Sequence, residues 1–129
     1  MANIYGNPEG MAAPLGFYSH GVVIPPGARV LVSAGQVGVA RDGTVPKDFA
    51  AQAENTWYNL TLILQDNKMT VNDLVKINHF LTDTANIQAY RGIFTKYLGR
   101  VRPASTLLIV AGLARPEFLL EVEIVAAAS

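Results

Sequence analysis

Two glutamates, Glu121 and Glu123, stand two residues apart in the apolar run LLEVEIVAAA. On an extended strand such a pair leaves the same face, so both carboxylates project together from a segment built for burial. Burying a carboxylate there is costly unless it is paired or lines a cleft. An ion pair at a subunit boundary and a place in a ligand cleft are both open readings. Tyr18, between Gly16 and Gly21, offers a phenol, and Arg91, Arg100 and Arg102 offer guanidinium groups for an anion, although a lone arginine is ordinarily solvated. His20 and His79 lie far apart with no HxxxH or HExxH context, and there is no cysteine, so thiolate chemistry and disulfides are excluded and no metal site is expected. The 11 glycines are scattered and form neither GxGxxG nor GxxxxGK[ST], the strings that cradle phosphates.

These residues need a scaffold, and the apolar spacing supplies one. Residues 16–24 and Arg29 to Val39 are two β-rich stretches around Pro25-Pro26-Gly27, which predicts a hairpin, and Tyr18 falls in its first strand. Asp42-Gly43 marks the next turn. From Asp48 to about Asp66, Phe49, Ala53, Trp57, Leu60 and Leu64 recur at helical spacing, which predicts an amphipathic helix with Trp57 in the core. Leu74 to Leu81 reads as a strand with Val75, Ile77, His79 and Leu81 on one face. A second helix is predicted from Thr84 to Leu98, stopped by Gly99. Ser105–Leu113 and Phe118–Ala128 are apolar at nearly every position, as in strands covered on both faces. The order ββ(β)αβαββ predicts an α+β or α/β sandwich, with two helices packed on one face of a mixed sheet. The other face must then be covered from elsewhere, most economically by a neighbouring subunit.

Composition points the same way. The chain has 129 residues without a linker-like tract, so one domain spanning residues 1–129 is expected. Half of the residues are hydrophobic and 16% are charged, against about 25% in average chains, which leaves apolar surface for subunit contacts. Ten basic and ten acidic residues cancel, so there is no basic field to attract nucleic acid, and no nucleic-acid partner is expected. No stretch reads as a membrane span or a signal peptide, and the expected location is cytoplasmic.

The strings APLGFYSHGV, LVSAGQVGV, AAQAENTWYNLTLIL, DLVKINHFLTD, RPASTLLIVAGL and LLEVEIVAAA, taken together, resemble the Rid/YjgF/L-PSP family over nearly the whole chain. The resemblance implies a chorismate-mutase-like fold (bacillus type) and a homotrimer around a barrel-like centre, with small-molecule clefts between subunits and no cofactor. It implies hydrolysis of enamines or imines such as 2-aminoacrylate to the 2-keto acid and ammonia. The family's tyrosine falls on Tyr18, the glycine of its SGQ-like strand on Gly35 and its final-strand glutamate on Glu121. Tyr18 and Glu121 are therefore the expected catalytic residues, with Gly35 at the substrate. The arginine of the P-x-R-[ST] string, which clamps the substrate carboxylate, is replaced by Ser105, and the next site residue is Leu107. Arg91 stands where many members carry asparagine. A serine offers one neutral donor in place of a two-pronged cation, which weakens carboxylate binding by on the order of 10- to 1,000-fold. Weak 2-aminoacrylate turnover is therefore expected, with Arg91 or Arg102 entering the cleft from another direction. Two functions lead, a divergent hydrolytic deaminase acting on C=N bonds and a non-catalytic trimer that binds a small metabolite; a third that the resemblance implies, the ribonuclease activity of some members, is disfavoured by the neutral charge and the missing His pair.

Overall fold

The computed structural model describes residues 1–129. Three short strands, β1 (Ile4–Gly6), β2 (Gly21–Val23) and β3 (Arg29–Val32), are followed by helix α1 (Phe49–Asp66), strand β4 (Leu74–Leu81), helix α2 (Ile87–Leu98) and strands β5 (Ala104–Ile109) and β6 (Leu120–Ala128). The main sheet has the order β3-β6-β4-β5; β4 and β5 are parallel and the other neighbours antiparallel. The parallel pair requires a crossover, and α2 provides it. This is the α+β arrangement expected, a mixed sheet with both helices on one face.

The helices begin and end where their side chains dictate. Asp48 caps α1 by accepting from the Ala51 N–H at 3.0 Å. A single turn of 3-10 helix at Thr84–Asn86 leads into α2, and Gly99 ends it at φ +62, a conformation that favours glycine. The apolar face of α1 packs Ala53, Trp57, Leu60 and Leu64 against Ile77 and Leu81 of β4 and Leu120, Val122 and Ile124 of β6, and Trp57 is fully buried. No helix is long and apolar enough to cross a membrane.

The predicted hairpin does not form. Strand β2 pairs with β1 in a separate two-stranded sheet, in which Tyr5 faces Val22, and β3 pairs with β6. The two consecutive prolines after Ile24 lack the N–H groups a ladder needs, and β6 offers β3 a longer edge. Tyr18 consequently sits in an irregular loop, outside any strand. Strand β3 also stops at Val32; beyond it Ser33 exchanges hydrogen bonds with Ile124 and Gln36 bridges to Val122. The run Ser105–Leu113 is strand only as far as Ile109.

Cover on both faces is likewise absent within the chain. Along β6, buried Leu120, Val122, Ile124 and Ala126 alternate with half-buried Glu121, Glu123 and Val125. On the face away from the helices, Val30, Val32 and Leu108 are exposed, Val32 at 70%.

Candidate functional site

Apart from Arg102, the residues expected at the site fall into two groups on opposite faces of the main sheet. The first surrounds a cavity of about 140 Å³ between the 15–20 loop, α2 and β5, lined among others by Tyr18, His79, Arg91, Ser105 and Leu107. Its volume lies below the roughly 300–1,000 Å³ of pockets for drug-sized ligands, so it suits a ligand of few heavy atoms.

Each wall has a local cause. The Ser19 N–H donates to the Pro103 carbonyl at 3.2 Å, tying the loop to the start of β5. The Tyr18 hydroxyl accepts from the Leu15 N–H at 3.1 Å, and the His20 ring meets the Tyr18 ring edge-on with centroids 5.8 Å apart. On α2, consecutive residues divide the work: Tyr90 is buried in the core, whereas exposed Arg91 reaches the cavity. Ser105 and Leu107, two apart on β5, share the helix-side face. Arg102 is engaged elsewhere, donating from Nη1 to the Gly99 and Val101 carbonyls at 2.7 and 2.9 Å with its guanidinium 4.9 Å from the centre of the Phe17 ring. Of the two arginines expected to compensate for Ser105, Arg91 lines the cavity and Arg102 does not.

Behind Ser105 lies a polar chain through the core. Trp57 Nε1–H donates to the Tyr90 hydroxyl at 3.1 Å, that hydroxyl is hydrogen-bonded to His79 Nδ1, and His79 Nε2 lies 2.9 Å from Ser105 Oγ. Burial, reinforced by the Lys76 charge, lowers the His79 pKa to about 3, so the imidazole is neutral across the physiological range. Burial also pushes the Tyr90 hydroxyl far above the usual range for tyrosine. Sequence reasoning placed His79 on one face of the strand and weighed it as a metal ligand, but gave it no partner and no role at the site. The available signal was its place between Ile77 and Leu81 on the core face of β4, where a polar ring needs a partner.

The second group is Gly35 and Glu121. Glu121 leaves β6 opposite to Leu120 and Val122, hence away from the helices and from Ser105. Its carboxylate packs directly over Gly35: a Cβ on that residue would fall 2.0 Å from Oε2, so a larger residue there would displace the Glu121 side chain from this position. The only ion pair in the chain is Lys96–Glu54, at 3.4 Å, so neither Glu121 nor Glu123 is paired within it. No three His, Asp or Glu side chains converge as metal ligands. A larger hollow of about 700 Å³ along β1 and β2 is bordered by Ile4, Met11, His20 and Val23 and contains none of the expected site residues.

The family described as Endoribonuclease L-PSP matches residues 10–128. The chain is 32% identical over 123 residues to the 2-iminobutanoate/2-iminopropanoate deaminase of Escherichia coli K12, covering 92% of each protein. The crystal structure of a conserved Rid family protein of unknown function from Yersinia pestis superimposes with a TM-score of 0.87 at 30% identity, over 99% of this chain and 100% of that one. That of RidA from an Antarctic Psychrobacter gives 0.73 at 27% identity, over 90% and 92% of the two chains.

Proposed function

The chain belongs to the Rid/YjgF/L-PSP family, and on that premise we propose that it is a divergent hydrolytic deaminase, acting on small enamine or imine metabolites in a cleft completed by a second copy of itself. The observation that carries this reading is Arg91 beside Ser105 in one cavity, a cation restored next to the position that lost one. Arg91 and Ser105 hold an anionic or carbonyl oxygen, and Tyr18 orients the ligand. Glu121, supplied from the far face of a neighbouring subunit, takes a proton from water as the oxygen adds to the C=N carbon. The resulting carbinolamine gains a proton on nitrogen and expels ammonia, leaving the C=O product. Gly35 lets the carboxylate lie close against the backbone of its own subunit.

The assembly proposed is a cytoplasmic homotrimer of single-domain subunits. Exposed Val30, Val32 and Leu108 on the face without helices support it, and light scattering should return three times 13.9 kDa. A monomer would sink both the trimer and the shared cleft. One observation favours the second reading, a trimer that binds a metabolite without turning it over: the imidazole at Ser105 is too weakly basic to activate water. Imines generated in situ by an amino-acid oxidase, with semicarbazide trapping, separate the two. Enzymatic turnover shortens the life of the trappable imine. If the imine is unaffected while 2-oxobutanoate still binds, the protein is a binder.

A further inference from the structure

The proximity of Ser105, His79 and Tyr90 invites comparison with a nucleophilic triad, but the hydrogen count points another way. Tyr90 is fully buried, and its hydroxyl has two polar neighbours, Trp57 Nε1 and His79 Nδ1. The indole nitrogen can only donate. The Tyr90 hydrogen therefore has one acceptor, the lone pair of His79 Nδ1. With Nδ1 accepting, a neutral imidazole carries its hydrogen on Nε2, and Nε2–H donates to Ser105 Oγ. Ser105 Oγ has no other hydrogen-bond partner in the chain, so its own hydrogen is free to point into the cavity. All four donors run in one direction, Trp57 to Tyr90 to His79 to Ser105, and such a chain polarises each bond in the next.

The reverse arrangement, with Nε2 as base toward Ser105, would put a hydrogen on Nδ1 and leave that of Tyr90 buried without an acceptor. No carboxylate stands behind the ring to support an imidazolium. Neither His79 nor Tyr90 changes charge near neutral pH, so the chain holds a proton in place and does not deliver one.

We infer that Trp57, Tyr90 and His79 are positioning residues that fix the Ser105 hydroxyl as a hydrogen-bond donor into the cavity beside Arg91, so that the site selects ligands presenting an acceptor-only oxygen, carboxylate or carbonyl, at that point. Arg91 can only donate and is positively charged, so an ammonium there meets a like charge, and although one Ser105 lone pair stays open, the Ser105 hydrogen and the Arg91 guanidinium together favour an oxygen acceptor over an N–H. This rests on the cavity being the ligand site, and it adds a specificity rule.

The test joins a spectroscopic readout on the unliganded protein with binding. Long-range 1H–15N correlation of the His79 ring should show the neutral Nε2–H tautomer, unchanged between pH 5 and 8. In calorimetric titration with 2-oxobutanoate, whose oxygens are all acceptors, Ser105→Ala should bind about 10- to 100-fold more weakly than wild type, the value of one donor to a charged acceptor. Ser105→Thr, which keeps the hydroxyl on a strand, should stay within a few-fold of wild type. An Nδ1–H tautomer overturns the inference and leaves the proposed function standing. An Nε2–H tautomer with unaltered binding by Ser105→Ala overturns it too, because Ser105 then donates to no ligand. Failure of wild type to bind 2-oxobutanoate at all removes the ligand-site reading, and the specificity rule with it.

Discussion

The two faces of the main sheet treat their polar residues in opposite ways. On the helix side, Trp57, Tyr90, His79 and Ser105 form a chain in which every buried polar atom has a partner, enclosed by the aromatic rings of Phe94 and Tyr97. On the other side, Glu121 and Glu123 stand unpaired among exposed valines. A satisfied network in a low-dielectric core is rigid, and it can preorganise a donor at low cost when a ligand arrives. A pair of free carboxylates on a partly apolar surface is unfinished, and what finishes it must come from outside the chain. One half of the proposed site is thus complete in the monomer, and the other depends on assembly.

Disabling each half separately should give different kinetic signatures. Glu121→Gln removes the base but no contact in the Arg91 cavity, so kcat for imine hydrolysis should fall by about 10²- to 10⁴-fold with KM little changed. Arg91→Ala removes anion binding, and KM should rise by about 10- to 100-fold. Steady-state kinetics over an imine concentration series distinguishes the two, and equal effects on KM from both variants would erase the proposed division of roles.

The core half should also be visible in stability. His79 is held neutral in the fold, with a pKa of about 3 against the ordinary 6.5, so below pH 6.5 the unfolded chain binds a proton that the native state does not. Stability is therefore lost as pH falls through the window from 6.5 towards 3, by up to about 1.4 kcal/mol per pH unit from this residue. Its neighbours in that window are Lys76 on its own strand, Tyr90 and Arg91 on α2, and Ser105 on β5. His79→Phe should cost about 1–3 kcal/mol at pH 7 by stranding the Tyr90 hydrogen, and should flatten the acid limb. Urea midpoints at pH 7, 5.5 and 4.5 check both, and parallel pH profiles for the two proteins would contradict the assignment.

The smallest effect is expected from restoring the arginine alone. Ser105→Arg sets a second guanidinium beside Arg91 and breaks the bond to His79, so 2-aminoacrylate hydrolysis should gain little. Ser105→Arg combined with Arg91→Asn should gain more. A large gain from the single substitution would mean that Arg91 does not occupy the cavity in solution.

Sequence reasoning reached the helices, the order of elements and the family because helical periodicity and the Asp48 and Gly99 end signals are local. It missed β1 and paired β2 with β3 because a strand's partner is a long-range choice, and alternation does not say which edge a short strand joins. The split of the site was half legible. Alternation in β6 separates Glu121 from Leu120 and Val122, but β5 is apolar on both parities after Thr106, so its sequence does not say that Ser105 faces the helices. The role of His79 was missed because its partners, Tyr90 and Ser105, come from α2 and β5 and meet it only in the folded chain.

Mixing the two disabled proteins tests most directly whether each site draws its two halves from different subunits. Arg91→Ala and Glu121→Gln subunits, unfolded together and reassembled, each carry one intact half. If the halves meet across a subunit interface, random reassembly of equal amounts into trimers, assayed well below the wild-type KM where both parents are slow, should return about a quarter of wild-type imine hydrolysis, since each site needs the intact half from both neighbours. Mixed trimers verified by mass spectrometry that remain as inactive as either parent would contradict the account.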